Sequence, residues 1–347
     1  MERLSQKEES LLRGGKYEFA FYSRYVVGRK KMKLIYGECL GEMRKLEAGS
    51  IDLILTDPPY GTIKGLGGDI EKYKLLSNST WDVTLDNKEM LKECERVLRE
   101  NGKLILFSQE PYTSKLITEA HDNLPFCYRL VWLKDHFANC LVVNKAPVSY
   151  FEDLIVFSKK YDIDNLNPLR NYSKKLMEYT GLSMRNINKK LGHRRAEHFF
   201  YVETTQFGIC TEEVYNQLVE MFKLREMDGF IKFKEMKEIN KKYEVVFNLH
   251  NGDKLKSNIL KYKKDYGGLH PTQKPVELLK DLIKTYSNEG DTVLDFTMGS
   301  GSTLVACKET NRNGIGIELD EKYFKIAQER IETTLSVHLG NNKESSK

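Results

Sequence analysis

The sequence has 347 residues, of which 40% are hydrophobic, and a net charge of +5. This length and composition suit one large α/β domain, or a catalytic domain with an insertion, and exclude intrinsic disorder and a small disulfide-stabilised fold. The six cysteines lie far apart without a CxxC pair, so neither a metal site nor a disulfide framework is indicated. Because no stretch is apolar enough to span a bilayer and the amino terminus lacks an apolar signal region, we expect a soluble cytoplasmic protein.

The first predicted elements follow an amino-terminal extension, residues 1–31, in which aromatic residues lie among basic ones. This extension is either an added strand or an arm that faces nucleic acid. Lys33 to Tyr36 then predicts a strand ending at Gly37-Glu38, and a short helical pattern leads to a second strand that starts at Ile51. A strand, a helix and a strand in this order are typical of a parallel sheet.

The second strand runs into two prolines in the stretch IDLILTDPPY, Ile51 to Tyr60. Proline cannot continue a ladder and favours extended geometry in the residue before it, so Asp57-Pro58-Pro59 should be stiff. The carboxylate and the carbonyl groups are then held in place before anything binds, and the Tyr60 ring completes a seat for a flat ring with an amino group. Taken alone, the stretch is explained equally well by a plain proline turn after a core strand.

The next segment, residues 61–80, is a glycine-bearing loop without a clean period and is a candidate lid. Apolar residues recur at helical spacing from Asn87 until Asn101-Gly102, which ends the helix. Further strands are predicted at 103–107, 128–133 and 154–157, with a helix around 113–120 between the first two.

A basic region without strand and helix alternation follows, and we interpret residues 159–264 as an insertion. Residues 159–200 contain ten Lys/Arg and four Asp/Glu, a net charge of +6. Such an excess is typical of a surface that binds a phosphate backbone, although a solvated basic face is the plainer alternative. Met184 to Leu191 predicts a helix, and a second helix carrying Arg194 and Arg195 would complete a helix-turn-helix; two short helices that pack for structural reasons are as plausible.

The strand and helix rhythm resumes near Gly267. Pro275 opens a helix, residues 292–294 form a strand that ends at Asp295, and a glycine-bearing turn leads into the next helix. The last strand, 314–317, ends at Glu318, where dinucleotide-binding folds place an acid that binds ribose hydroxyls. Because the turn lacks the full G-x-G-x-x-G pattern, an ordinary strand-to-helix turn explains it too.

The Asp-Pro-Pro-Tyr stretch, HPTQKP at residues 270–275 and the turn that starts at Asp295 together resemble the amino-methyltransferases of DNA, in the permuted order that places the acceptor motif first. The resemblance covers residues 32–158 and 267–333. It implies an α/β Rossmann-like methyltransferase fold with a seven-stranded, mostly parallel sheet and an inserted target-recognition region. It also implies S-adenosyl-L-methionine as the cofactor and double-stranded DNA as the partner.

The resemblance assigns the site residues. Asp57, Pro58, Pro59 and Tyr60 match the acceptor motif in its adenine form, where cytosine-N4 members more often carry Ser in place of Asp. The residues matched to the cofactor are Glu38, Cys39, His270, Thr272, Gln273, Lys274, Asp295, Phe296, Thr297, Gly299, Gly301, Ser302 and Glu318. The family commonly has Asp-Pro-Phe where this chain has Asp295-Phe296-Thr297, and this departure affects the expected contacts of the turn.

The chemistry explains why an acid and an aromatic residue are needed in the acceptor motif. The exocyclic nitrogen of adenine is a poor nucleophile because its lone pair is delocalised into the ring. The Asp57 carboxylate and the Pro58 carbonyl can hold its two N–H groups while positive charge develops. A base must be flipped out of a duplex to be reached, and Tyr60 would stack on it, which contributes about 1–3 kcal/mol. No covalent intermediate is required, so no cysteine is expected to act as a nucleophile.

These assignments predict a division of the chain by function. The extension is residues 1–31, the acceptor half 32–158, the recognition insert 159–264, the cofactor half 265–335 and a polar tail 336–347. Within the insert, Lys189 and Lys190 are the candidates for phosphate contacts, and Arg194 and Arg195 for base contacts.

The favoured function is methylation of adenine N6 in DNA by a site-specific enzyme, for which a cognate restriction endonuclease and a homodimer are candidate partners. Cytosine N4 is the nearest alternative, because it too is an aromatic amine. Methylation of a protein glutamine uses a related Asn-Pro-Pro-Tyr motif and is disfavoured by Asp57 and by the basic insert. A DNA-binding relic with an altered cofactor turn is the non-enzymatic alternative.

Overall fold

The structure is a computed structural model that describes residues 22–27, 30–60, 85–138, 144, 147–160, 167–204, 206–265 and 273–344. The candidate lid at 61–80, most of the amino-terminal extension, and the assigned residues His270 and Thr272 lie outside the described residues. Within the described ranges, no helix is long and apolar enough to cross a membrane.

A nine-stranded sheet organises the chain, in the order β1-β2-β9-β8-β3-β4-β6-β5-β7. The strands are β1 (Tyr22–Val27), β2 (Lys30–Tyr36), β3 (Ile51–Thr56), β4 (Leu98–Ser108), β5 (Phe126–Ala138), β6 (Ser149–Ser158), β7 (Ile259–Lys261), β8 (Thr292–Asp295) and β9 (Asn313–Glu318). Only β1 and β6 run against their neighbours, so the expected mostly parallel α/β sheet is confirmed.

The predicted number of seven strands is wrong, because two strands at the edges of the sheet were not recognised as such. β1 lies in the amino-terminal extension and pairs with β2, which favours the added strand over the nucleic-acid-facing arm for residues 22–27. β7 lies inside the predicted insertion and adds to β5. A strand of three residues is too short to show the alternation from which strands are predicted.

Helices cover both faces of the sheet because the strand side chains alternate between two cores. Leu53 and Leu55 of β3 face one core and Ile54 faces the other. The first core is closed by α8 (Val276–Tyr286), α9 (Ser302–Glu309) and α10 (Glu321–Glu344); the second is closed by α1 (Cys39–Met43), α2 (Asn87–Val97) and α3 (Tyr112–Thr118). The resulting three layers are those of a Rossmann-like fold.

A separate helical unit, residues 169–241, has its own core. It consists of α4 (Leu169–Thr180), α5 (Met184–Leu191), α6 (Glu212–Phe222) and α7 (Phe233–Lys241), with single 3₁₀ turns at Glu197–Phe200 and Leu224–Glu226. The predicted second helix carrying Arg194 and Arg195 is absent from these described residues. Among the described residues between α5 and α6, the only helical element is the 3₁₀ turn at Glu197–Phe200. The left-handed Gly192 ends α5, and Phe199 and Phe200 are buried in the core of the unit.

The helical unit is joined to the sheet at the edge where β3 and β4 begin. On the way in, Asn101 N donates to the Lys159 carbonyl; on the way out, Asn101 Nδ2 donates to the Tyr243 carbonyl and Arg99 to the Glu244 carbonyl. Residues 244–265 then contact α8 and β5, and they include β7. The helical unit is therefore shorter than the insertion of 159–264 drawn from the sequence.

Candidate active site

Four acidic residues follow the carboxyl ends of four neighbouring parallel strands. Glu38 follows β2, Asp57 follows β3, and Asp295 and Glu318 end β8 and β9. The strands lie in the order β2-β9-β8-β3 and run in one direction, so all four residues lie along one edge of the sheet. We call this row the acidic edge. It is the edge at which open parallel sheets bind ligands.

Asp57 is held through both carboxylate oxygens. The Tyr60 hydroxyl donates to Oδ1 at 2.6 Å, and Lys274 Nζ donates to Oδ2 at 2.6 Å. Lys274 lies just before α8, so its contact with Asp57 joins the start of that helix to the carboxyl end of β3. The carboxylate is fixed in position before any ligand arrives.

Glu152, on β6, lies within hydrogen-bond distance of three donor groups. Lys274 Nζ lies 2.8 Å from its Oε1 and Lys134 Nζ lies 2.7 Å from its Oε2, while the Tyr60 hydroxyl lies 3.0 Å from Oε1. The Glu152 side chain is only 5% exposed. Together with Asp57, these residues form an array of two carboxylates and two ammonium groups, which we call the four-charge array (Asp57, Lys134, Glu152 and Lys274).

The array controls the ionisation of its members. Burial raises the pKa of Asp57 above its ordinary value, and Lys274 acts in the opposite direction. Burial also opposes the charge on Glu152, but Lys274 and Lys134 outweigh it and lower the pKa of Glu152 to about 2. The ammonium of Lys274 is likewise buried, yet Asp57 and Glu152 raise its pKa to about 12. Glu152 and Lys274 are therefore charged throughout the neutral range.

The acceptor and cofactor motifs are linked by hydrogen bonds beneath the acidic edge. Thr56 Oγ1 donates to Asp295 Oδ1 at 2.7 Å, and Thr297 Oγ1 donates to the Asp57 carbonyl at 3.1 Å. The two hydroxyls are 2.6 Å apart. Asp295 is buried by this arrangement, and burial raises its pKa to about 6. The two motifs, far apart in sequence, form one connected site.

Glu318 anchors the glycine-bearing turn after β8. Its Oε2 accepts from Gly299 N and its Oε1 from Asp320 N, both at 2.8 Å. Gly301 has a φ of 78°, and a Cβ there would lie 2.9 Å from the Cβ of Ala327. Only glycine fits this close approach of the turn to α10. Each Glu318 oxygen retains a lone pair for a further donor.

The other residues assigned to a cofactor have varied surroundings. Glu38 caps α1 by accepting from Leu40 N and Gly41 N, and Cys39 Sγ is buried beside it. Gln273 accepts from Ser300, and Ser302 accepts from Arg330. The Phe296 side chain lies fully buried in the second core, so a ligand could contact only its backbone.

Lys274 contacts the acceptor motif, whereas the resemblance matched it to the cofactor. Glu152, Lys134 and Thr56 were not singled out from the sequence at all. The available signal was a pair of acids, Glu152-Asp153, inside the otherwise apolar strand β6. Charged residues are seldom buried unless they are paired.

The candidate DNA contacts lie in the helical unit. Lys189 and Lys190 are exposed in the last turn of α5. Arg194 is paired with Glu197, and Arg195 with Glu213. Each arginine is thus matched by a carboxylate, whereas the two lysines leave a local positive surface.

One protein family, several curated relatives and several solved structures are similar to this chain. The sequence model of the N6/N4 family, described as DNA methylase, matches residues 51–329. Type II methyltransferase M.HpaI of Haemophilus parainfluenzae is 24% identical over 307 residues, covering 87% of this chain and 74% of the relative. DNA adenine methyltransferase YhdJ of Escherichia coli K12 is 27% identical over 310 residues, covering 88% and 84%. The crystal structure of the M1.HpyAVI-SAM complex superposes with a TM-score of 0.49 at 18% identity, covering 86% and 98%.

Proposed function

This chain belongs to the DNA methylase family, and we propose that it transfers a methyl group from S-adenosylmethionine to N6 of a flipped-out adenine in DNA. The observation that carries the proposal is that the fixed Asp57 carboxylate lies on the same sheet edge as Glu318 and the turn at Gly299, which Glu318 anchors. Asp57 can accept hydrogen bonds from an amino group, and Glu318 offers acceptors for a cofactor. A hydrogen bond from Thr297 to the Asp57 carbonyl joins the two motifs.

The acceptor side supplies a hydrogen-bond acceptor where charge develops. Asp57 Oδ1 is positioned to accept one N–H of the amino group, and the Pro58 carbonyl is assigned to the other. Both acceptors favour the change of the nitrogen toward a tetrahedral geometry and stabilise the positive charge that forms on it. Since burial raises the pKa of Asp57, its carboxylate is also suited to receive the proton that the nitrogen loses.

The cofactor side fits a cationic ligand with hydroxyl and amino donors. Glu318 has free lone pairs for ribose hydroxyls, and Glu38 is an exposed carboxylate at the end of β2. When bound, S-adenosylmethionine supplies an electrophilic methyl group on a positively charged sulfur. The acidic edge attracts such a cation electrostatically, and Gly301 lets the turn after β8 pack closely against α10.

The experiment that tests the function is nucleoside mass spectrometry of DNA incubated with the protein and S-adenosylmethionine. We expect N6-methyladenine, because Asp57 occupies the position where cytosine-N4 enzymes more often carry Ser. N4-methylcytosine as the main product would overturn the choice of adenine. Methylated glutamine in an added protein substrate, or binding of DNA without any product, would support the protein-methylating and relic alternatives instead.

The Tyr60 ring, and less so its hydroxyl, should be needed for turnover. The ring lies 5.4 Å from the Tyr112 ring and borders Asp57, where a base could stack on it. Tyr60→Phe should keep activity within about tenfold of wild type, because Asp57 retains Lys274. Tyr60→Ala should lose about 1–3 kcal/mol of stacking, or roughly 5- to 150-fold in kcat/KM. Equal activity of both variants in steady-state assays would contradict the stacking role.

The helical unit is our proposed DNA-recognition region, supported by the basic excess that includes Lys189 and Lys190. Since both of its connections lie at the sheet edge opposite the acidic edge, contact with DNA at Asp57 requires the unit to extend past the sheet.

The name of the M.HpaI relative, a Type II methyltransferase, supports the hypothesis of a cognate endonuclease. Resistance of methylated DNA to cleavage would test this hypothesis. Sedimentation velocity would test the hypothesis of a homodimer, for which exposed Tyr150 and Phe151 on β6 offer apolar surface.

A further inference from the structure

Glu152 is the hub of the four-charge array, although the acceptor motif does not include it. Its two oxygens face Lys274, Lys134 and the Tyr60 hydroxyl within 3.0 Å, and the first and last of these also contact Asp57. The lysines are further confined by aromatic rings: Lys134 lies 4.8 Å from the centre of the Trp132 ring, and Lys274 lies 4.9 Å from that of Phe107. A buried array of this kind requires every charge to be matched.

The array is arranged for an exchange of partners at Asp57. Both Asp57 oxygens are engaged, so an amino group that binds at Oδ1 must displace the Tyr60 hydroxyl. The displaced hydroxyl is not left unpaired, because Glu152 Oε1 already lies 3.0 Å from it. Lys274 stays on Asp57 Oδ2 throughout, since Glu152 holds it from the other side. The exchange therefore leaves no buried donor unsatisfied.

Two roles for Glu152 are chemically available, a proton acceptor or a fixed anion. The two lysines hold the pKa of Glu152 at about 2, so it is a poor proton acceptor at neutral pH. Its carboxylate also lies behind Lys274 and Tyr60 as seen from Asp57. The role of a fixed anion agrees with both observations.

We propose that Glu152 is a positioning residue of the acceptor site, which holds Lys274 on Asp57 and takes over the Tyr60 hydroxyl when the amino group of the target base binds. This inference rests on the function proposed above, because the arriving amino group is that of the substrate. It extends the acceptor site to β5 and β6 and assigns Lys274 to the acceptor side.

The proposal has a signature in the ionisation of Asp57. Among the described residues, the groups that face Asp57 are Tyr60 from its own loop, Tyr112 from α3, Lys274 from before α8 and Glu152 from β6. Asp295 from β8 acts through the threonines, and Lys134 from β5 acts through Glu152. Lys274 stabilises the Asp57 anion, whereas Glu152 disfavours it. Removing Lys274 should therefore raise the pKa of Asp57. Replacing Glu152 with Gln removes the charge but keeps an oxygen that accepts from Lys274, so this change should lower the pKa of Asp57. A merely structural role would not produce opposite shifts.

The experiment is a ¹³C NMR titration of the Asp57 carboxyl in wild type, Lys274→Gln, Glu152→Gln and Glu152→Asp, with the signal assigned by its loss in Asp57→Asn. We expect the pKa of Asp57 to rise by about one unit or more in Lys274→Gln, to fall in Glu152→Gln, and to return toward wild type in Glu152→Asp, which restores the anion. The acid limb of the profile of kcat against pH should move in the same direction as each pKa.

Asp281→Asn is the matched control. It breaks another ion pair of a buried carboxylate, that of Asp281 on α8 with Lys256, and this pair lies away from Asp57.

The outcomes separate this inference from the function on which it rests. Shifts in one direction for both Lys274→Gln and Glu152→Gln, or no shift in either, would overturn the role of Glu152. A shift in Asp281→Asn as large as theirs would do the same. Methylated nucleosides are measured for the wild type in the same series, and their absence would overturn the proposed function instead. Since Lys274→Gln and Glu152→Asp are read independently, misfolding of Glu152→Gln would leave two informative variants.

Discussion

Replacement of Asp57 with alanine is expected to lower kcat by about 10³-fold while leaving the affinity for S-adenosylmethionine within about threefold of wild type. The change removes the acceptor for the amino group. It does not touch the hydrogen bonds of Glu318 to the Gly299 turn. The fold should survive, because Lys274 and the Tyr60 hydroxyl both keep Glu152 as a partner.

Asp295→Ala is the companion variant, and its effects should be reversed. Asp295 accepts from Thr56 and from Thr297 N, so its loss removes both hydrogen bonds and loosens the turn after β8. We expect a cost of about 1–3 kcal/mol in cofactor binding, or roughly 5- to 150-fold weaker affinity. The decrease in kcat at saturating cofactor should be smaller than in Asp57→Ala.

Isothermal titration calorimetry for the cofactor and single-turnover methylation of DNA measure the two effects separately. Asp281→Asn, on α8, serves as the control for a buried carboxylate that lies outside the acidic edge. If Asp57→Ala weakened cofactor binding as much as Asp295→Ala does, the division of the acidic edge into an acceptor side and a cofactor side would be wrong.

Replacement of Lys189 and Lys190 with alanine is expected to weaken DNA binding to all sequences alike. Each lost phosphate contact removes counterion release, so the slope of log K against log salt should become less negative by about two for the pair. Methylated sites should remain the same, because phosphate contacts carry no sequence information directly. The measurement is DNA affinity against salt, with the methylated sites mapped by sequencing.

The double variant Arg194→Ala/Arg195→Ala tests the other half of the interface. Base contacts by these residues would require their pairs with Glu197 and Glu213 to open. If they read bases, the variant should relax site preference more than it changes the salt slope. Lys88→Ala/Lys92→Ala removes the same charge from two exposed positions of α2, outside the helical unit. An equal change in slope for this control would mean that the basic stretch is only a solvated face.

The core of the sheet was predictable because its signals are local. The apolar strands that lead to Asp57, Asp295 or Glu318 can be recognised from a few consecutive residues, and Pro58 and Pro59 mark where β3 must end. The edges of the sheet were less predictable. β7 has three residues and depends on pairing with β5, and β1 lies in an extension whose composition suited two interpretations.

By itself, the sequence determined that the acidic residues share one edge. Once the strands are parallel, their carboxyl ends must meet, and the spacing of the motifs then places an acceptor beside a cofactor turn. Only the tertiary structure decided what holds Asp57. Lys274 is 217 positions from Asp57, and no local period relates them or brings Glu152 of β6 to both. Their meeting depends on the strand order β3-β4-β6 and on the position of Lys274 just before α8, because these charges lie far apart in sequence and only the folded chain brings them close together.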